Sequence, residues 1–336
     1  MSGPRIVVIG GGSGSSVLLS GLKRHTSDIT AIVSMFDSGG STGILREEFG
    51  YPPFGDIRQC LMALAANDEI GTSIRTVFDF RFSSTSSLKG HNVGNLVLAA
   101  LTTAHSRGIV GAIEELSQML NVAGKVVPVT LEDAHLCAEL EDGSEVVTES
   151  AIDLRGEGSP IKRVHLDRQA AANPDALKAI AEADAVVLGP GDLYTSVVPN
   201  LLAEGMSEAL RNTPAQITYV CNVMTKLGET SGYDAVDFAR TVYEYLDGRK
   251  LDYAVVNTQS IPGDVLARYR AEDATPVSPG GSRILEYARS VVHEPLINLG
   301  PPVRHDPAKL ASLVWQLAVS RTRMAEYSPS PVASGD

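Results

Sequence analysis

The chain has 336 residues, 43% of them hydrophobic, and 40 acidic against 28 basic residues give a formal net charge of −12. That length builds one large core or two unequal domains, and the acidic balance excludes a nucleic-acid-coating surface while leaving room for a local basic pocket. Cys60, Cys137 and Cys221 stand far apart, which excludes a zinc motif and fits a reduced cytoplasmic protein. The apolar run in "MSGPRIVVIGGG" is too short for a signal peptide, and no stretch reaches the about 18 apolar residues of a membrane span.

In chain order, "RIVVIGG" reads as a buried strand, "SSVLLSGLKRH" as a helix and "DITAIVSMF" as a second strand ending at Asp37. This β–glycine turn–α–β unit opens a doubly wound sheet. From Asp56 to about Leu120 the apolar spacing is helical, with Asp56 and Asn92 as expected N-caps. "KVVPVT" and "LCAELEDGSEVVTES" read as strands, the latter as a hairpin around Asp142-Gly143. Alternation then returns. "DAVVLGPGD" is a strand entering a turn, "SVVPNLLAEGMSEALRN" a helix, and "QITYVCNVM" and "LDYAVVNT" strands. A final helix starts at Asp306-Pro307, and "SPSPVASGD" is expected to be disordered. The expected fold is α/β, a Rossmann-like, mainly parallel sheet in one domain over 1–325. It carries a helical insertion near 56–120 and a small β element near 125–165, with a tail over 326–336.

In such a sheet, ligands bind beyond the carboxyl ends of the strands. The first loop there is "GGGSG", Gly10, Gly11, Gly12, Ser13 and Gly14. It is either an anion-binding turn or a tight structural turn, and it is neither a complete dinucleotide fingerprint nor a P-loop. The second is "DSGGST", Asp37, Ser38, Gly39, Gly40, Ser41 and Thr42, flanked by Arg46, Asp56 and Arg58. Backbone amides and hydroxyls suit an anion there, the arginines suit phosphate or carboxylate, and Asp37 suits a ribose hydroxyl. The alternative is a capped turn with surface ion pairs. Asp37 and Asp56 could also share magnesium on a nucleotide diphosphate, though carboxylates on loops more often cap helices. "GHNVGN" offers His91, Asn92 and Asn95 as ligand contacts or as a capping cluster. "GPGDLYTS" offers Gly189, Pro190, Gly191, Tyr194, Thr195 and Ser196 as a second cradle or a plain strand-to-helix turn, and Asn222 follows the next strand. No His/Cys cluster has metal-ligand spacing, and no GxSxG nucleophile motif occurs.

Together "VIGGGSGSSVLLSGL", "DSGGSTGILREEFGYPPFGDIRQCLMALA", "GHNVGNLVLAAL", "LGPGDLYTSVVPNLL", "YVCNVMTKLGETSGYDAVDFA" and "VRHDPAKLA" resemble the YvcK/CofD-like family, in family order. The resemblance is greatest to the YvcK-type branch, cytoplasmic gluconeogenesis factors. It implies binding of a UDP-sugar such as UDP-N-acetylglucosamine, a part in cell shape and envelope synthesis on gluconeogenic carbon sources, and no established reaction. It also places Arg304 in the nucleotide-sugar site. The other branch implies a CofD-type 2-phospho-L-lactate transferase of deazaflavin-coenzyme synthesis, working with Mg2+ on a guanosine-diphospho donor. Ser38 departs from the first branch, where many members carry a second acid beside Asp37. The expected partners are a nucleotide sugar or nucleotide diphosphate and, for the chain itself, a further copy in a homo-oligomer. Nucleic acid is not expected.

Overall fold

The structure, a computed structural model, describes residues 3–66, 69–83, 88–269 and 273–326. Its strands are β1 (Ile6–Gly10), β2 (Ile29–Val33), β3 (Lys125–Pro128), β4 (Leu136–Leu140), β5 (Glu145–Val147), β6 (Ile161–Leu166), β7 (Ala185–Leu188), β8 (Gln216–Val220), β9 (Leu251–Asn257), β10 (Ala288–Glu294), β11 (Ile297–Asn298) and β12 (Arg304–His305). Its α-helices are α1 (Gly12–Leu22), α2 (Gly40–Phe49), α3 (Gly55–Leu64), α4 (Glu69–Asp79), α5 (Val93–Ala104), α6 (Gly108–Met119), α7 (Glu149–Asp153), α8 (Pro174–Glu182), α9 (Pro199–Leu202), α10 (Met206–Asn212), α11 (Ala235–Tyr245), α12 (Gly263–Tyr269) and α13 (Pro307–Glu326).

All residues of β1, β7 and β8 are buried. Strands covered on both faces lose the apolar/polar alternation and become continuous apolar runs, which is why they stand out in the sequence. Each Ile, Val or Leu so buried stabilises the fold by ~1.5–3 kcal/mol. Seven strands form one sheet in the order β10-β9-β8-β7-β1-β2-β3, and every pairing is parallel. From β1 the chain winds outward through β2 to β3, then returns to β7 on the other side of β1 and winds outward again. The winding direction reverses between β1 and β7, and a crevice opens beyond their carboxyl ends. There Ile9 pairs with Leu188, so the turns after both strands lie side by side.

Helix starts follow local chemistry. Asn92 caps α5 by accepting from Asn95 N, and Asp306 caps α13 by accepting from Ala308 N and Lys309 N. Asp234 and Asp237 form a reciprocal capping box on α11.

Several expectations need correction. Phe54, not Asp56, is the N-cap of α3, and Asp56 lies inside the first turn. The second strand stops at Val33, so Asp37 belongs to the following loop. The β element expected near 125–165 divides: β3 is the edge strand of the main sheet, while β4, β5 and β6 form a separate antiparallel sheet. The helix expected over 196–212 is broken into a π-turn at Leu193–Val197, α9 and α10. The tail expected over 326–336 lies outside the described residues, except for Glu326 at the end of α13.

Candidate functional site

The crevice is built from glycine backbones. Gly11 and Gly12 lead from β1 into α1, whose first turn carries no acidic residue. A Cβ placed on Gly14 would stand 2.4 Å from Pro190 O and 3.0 Å from Gly191 Cα. Only glycine lets these two turns touch. The N-terminal amides of α1 therefore open onto the crevice, where the helix dipole favours negative charge.

Three carboxyl groups stand under this edge. The Asp37 carboxylate accepts from Gly39 N at 2.8 Å and from the hydroxyl of Thr42. Asp56 is half-buried, accepts from Gly12 N, and lies so near Gly11 that a Cβ there would be 2.1 Å from its Oδ2. Glu149, at the start of α7, accepts from Ser38 N at 3.3 Å, while Ser38 Oγ donates to Ser150 Oγ at 3.0 Å. Ser38 thus leaves no gap in charge, because Glu149 supplies the second carboxyl beside Asp37. Burial first, and then the Asp37 charge, pushes Asp56 up to about 7 and Glu149 up to about 8. Burial also raises Asp37, against the pull of the Gly39 amide. None of the three belongs to a salt bridge among the described residues. These half-buried oxygen donors have the chemistry of a hard-cation ligand set such as Mg2+ takes, but among the described residues Asp37, Asp56 and Glu149 do not bring three oxygens within 4.8 Å of one another.

A second acidic group looks like a metal site and is filled by an ammonium. Oxygens of Asp153, Asp192 and Glu229 lie within 4.8 Å of one another. Lys226 Nζ pairs with all three, at 2.8 Å from Asp192 and 3.0 Å from Glu229. Glu229 also accepts from Tyr194 N at 3.3 Å and Thr195 Oγ1 at 3.1 Å. Burial raises Glu229 to about 7, against the opposing Lys226 charge. This hub fixes the Leu193–Val197 turn against the loop after β8.

A cavity of about 390 Å³ lies between these groups. Of the residues expected at a site, Gly11, Gly12, Ser13, Gly14, Asp37 and Asp56 line it on one side of the switch point. Pro190, Gly191, Thr195, Ser196 and Asn222 line it on the other, and Arg304 comes from β12. Two buried atoms of its lining, Asn222 Oδ1 and His305 Nε2, have no hydrogen-bond partner. Burial lowers His305 to about 4, so its ring is neutral. Arg304 is exposed and makes no ion pair among the described residues.

Other expected residues border the cavity or lie apart from it. Gly10 ends β1, Gly189 follows β7, and Ser38 and Gly39 shape the Asp37 turn. Tyr194 is buried, with its hydroxyl 2.9 Å from that of Tyr233. Gly40, with φ +47°, begins α2 behind the cavity. Ser41, Thr42, His91, Asn92 and Asn95 join α2 to α5: Ser41 Oγ is 3.2 Å from His91 Nδ1 and accepts from Asn92 N, and Asn95 Nδ2 reaches Thr42 Oγ1. Arg46 is held by Asp133 and Ala134 O, and Arg58 by Asp79 at 2.5 Å. These two brace separate segments of the chain and do not line this cavity. Sequence reading missed Gln59, Glu149, Asp192 and His305 as lining residues: Gln59, Asp192 and His305 sit inside motifs already singled out, and only Glu149 has no local motif to mark it.

The parallel sheet and its switch-point cavity define a doubly wound α/β protein of Rossmann-like architecture. Residues 6–297 match the sequence profile of the family described as 2-phospho-L-lactate transferase CofD. The chain belongs to this CofD family. It is 40% identical to the gluconeogenesis factor of Bacillus subtilis (strain 168), over 94% of this chain and 98% of that protein. It is 42% identical to the gluconeogenesis factor of Halalkalibacterium halodurans, over 82% of this chain and 84% of that protein. A crystal structure of a UPF0052 family member from Bacillus halodurans superposes with a TM-score of 0.87 at 38% identity, covering 94% of this chain and 99% of that one. Arg304 lies beyond the segment matched by the family profile.

Proposed function

We propose that this chain is a cytoplasmic gluconeogenesis factor that binds a nucleotide sugar of the UDP-N-acetylglucosamine type in the switch-point cavity. On this reading it is non-catalytic and serves cell shape and envelope synthesis on gluconeogenic carbon sources. The observation that carries the reading is the contact of two glycine turns, at Gly14 and Pro190-Gly191, beside the unpaired Arg304. A diphosphate takes backbone amides from the first turn and a planar, charged fork from Arg304. The unpartnered Asn222 Oδ1 offers an acceptor to a base or sugar. The names of the relatives favour this reading over a transferase. No helix of the described chain is long and apolar enough to cross a membrane.

The transferase alternative draws on the oxygen donors of Asp37, Asp56 and Glu149 beside the cavity, the ligand type of the Mg2+ that such chemistry uses. A thermal-shift screen separates the two readings. UDP-N-acetylglucosamine at 100 times its dissociation constant should add about 2.7 kcal/mol to stability. Stabilisation by GDP with Mg2+, and none by UDP-sugars, would favour the transferase. Deletion of the gene should impair growth and shape on gluconeogenic carbon sources but not on glucose.

A further inference from the structure

A second cavity, of about 480 Å³, adjoins the first and shares Ser13, Val17, Gln59 and Arg304 with it. Its charge is of the opposite kind. Lys23 and Arg24 come from the end of α1, Arg58 from α3, Arg75 from α4 and Arg304 from β12, all converging on one space. Among the described residues the only acid in its lining is Asp79, already paired with Arg58. In a chain of net charge −12, five cations against one acid among the described lining residues is a local inversion.

These cations are poorly compensated. Lys23 Nζ is half-buried and donates to a carbonyl, Ala65 O, rather than to a carboxylate. Burial, followed by the like charges of Arg75 and Arg24, lowers it to about 8. Arg58 is buried, and its Nε has no hydrogen-bond partner. Like charges gathered from three helices and a strand repel one another, and the arrangement is relieved by an anion.

We propose that this chamber is a second binding site, for a phosphate group, with Lys23 and Arg75 as its principal contacts and Arg304 at the boundary with the first cavity. Guanidinium forks and an ammonium together match the three oxygens of a phosphate better than a single carboxylate. The phosphate comes either from a separate phosphorylated metabolite or from an extension of the ligand in the first cavity. The site does not depend on the nucleotide-sugar reading, because Lys23, Arg24 and Arg75 lie outside the first cavity.

Calorimetry at constant ionic strength tests this with inorganic phosphate and pyrophosphate, on the full chain and on the double variant Lys23→Ala/Arg75→Ala. Saturable binding to the wild type, weakened at least tenfold in the double variant, is the expected result. Arg75→Gln alone should weaken it in the same direction, which keeps the test valid if the double variant folds poorly. Adding saturating UDP-N-acetylglucosamine separates the sources: phosphate binding retained indicates a separate metabolite, and phosphate displaced indicates the extended ligand. Nucleotide-sugar affinity of the double variant, read in parallel, reports on the first cavity alone. Absence of saturable phosphate binding, or equal affinity in wild type and both variants, would overturn the proposal.

Discussion

The Asp37 carboxylate is hydrogen-bonded to the carboxyl of Glu149, and burial raises both groups above the ordinary carboxylate range. The loop after β2 and the short helix α7 are tied together beside the cavity, where Ser38 N donates to Glu149 at 3.3 Å.

The raised Glu149 carboxyl makes stability depend on pH. A carboxyl with a raised folded pKa holds its proton in the folded chain after the unfolded chain has released it. Glu149 stands at about 8, against about 4.3 unfolded. Its contribution is therefore complete below about pH 4 and declines as pH rises through 8, by at most about 1.4 kcal/mol per pH unit. Glu149→Gln should flatten the urea-unfolding stability between pH 5 and 8.5, measured with a chelator present. Parallel curves for variant and wild type would show that Glu149 does not keep its proton in the folded chain.

Gly14 holds the two turns in contact. Gly14→Ala places a methyl group against the Pro190 carbonyl and must push the turns apart. Overpacking of this kind costs about 1–3 kcal/mol of stability. Nucleotide-sugar affinity should fall at least tenfold, read by calorimetry alongside thermal melting. Wild-type affinity in a folded Gly14→Ala protein would show that the ligand does not need the contact.

Lys226 neutralises three carboxylates at once. Its side chain is 27% exposed and Glu229 is wholly buried. Removing one partner of a buried ion pair strands the rest, at about 3–5 kcal/mol. Lys226→Met should therefore destabilise the chain by about 3 kcal/mol in urea unfolding, and Lys226→Arg by clearly less. A change under about 0.5 kcal/mol for Lys226→Met would mean that the hub does not hold the turn.

Much of the scaffold was legible because its causes are local. β1, β7 and β8 are apolar runs buried on both faces, and Asn92 and Asp306 are caps written beside their helices. β10 was missed because it is an edge strand of mixed exposure and has no apolar run. The glycine turns were legible, but their contact was not, since it follows from β1 and β7 being neighbours. Glu149 was illegible for a related reason: it meets Ser38 across 111 residues of chain. Ser41, His91 and Asn95, expected at the site, bind the starts of two helices to each other in the structure. Polar side chains serving helix contacts and ligand contacts look alike in sequence.

Arg304 tests the account most directly. It is exposed, forms no ion pair among the described residues and lines the cavity. Arg304→Ala should change stability by less than ~0.5 kcal/mol. Isothermal calorimetry with UDP-N-acetylglucosamine should show one site per wild-type chain and a loss of about 1.5–3 kcal/mol of binding energy in the variant, the range of a charged hydrogen bond. Absence of binding to the wild type, or equal binding to both proteins, would contradict a nucleotide-sugar site in this cavity.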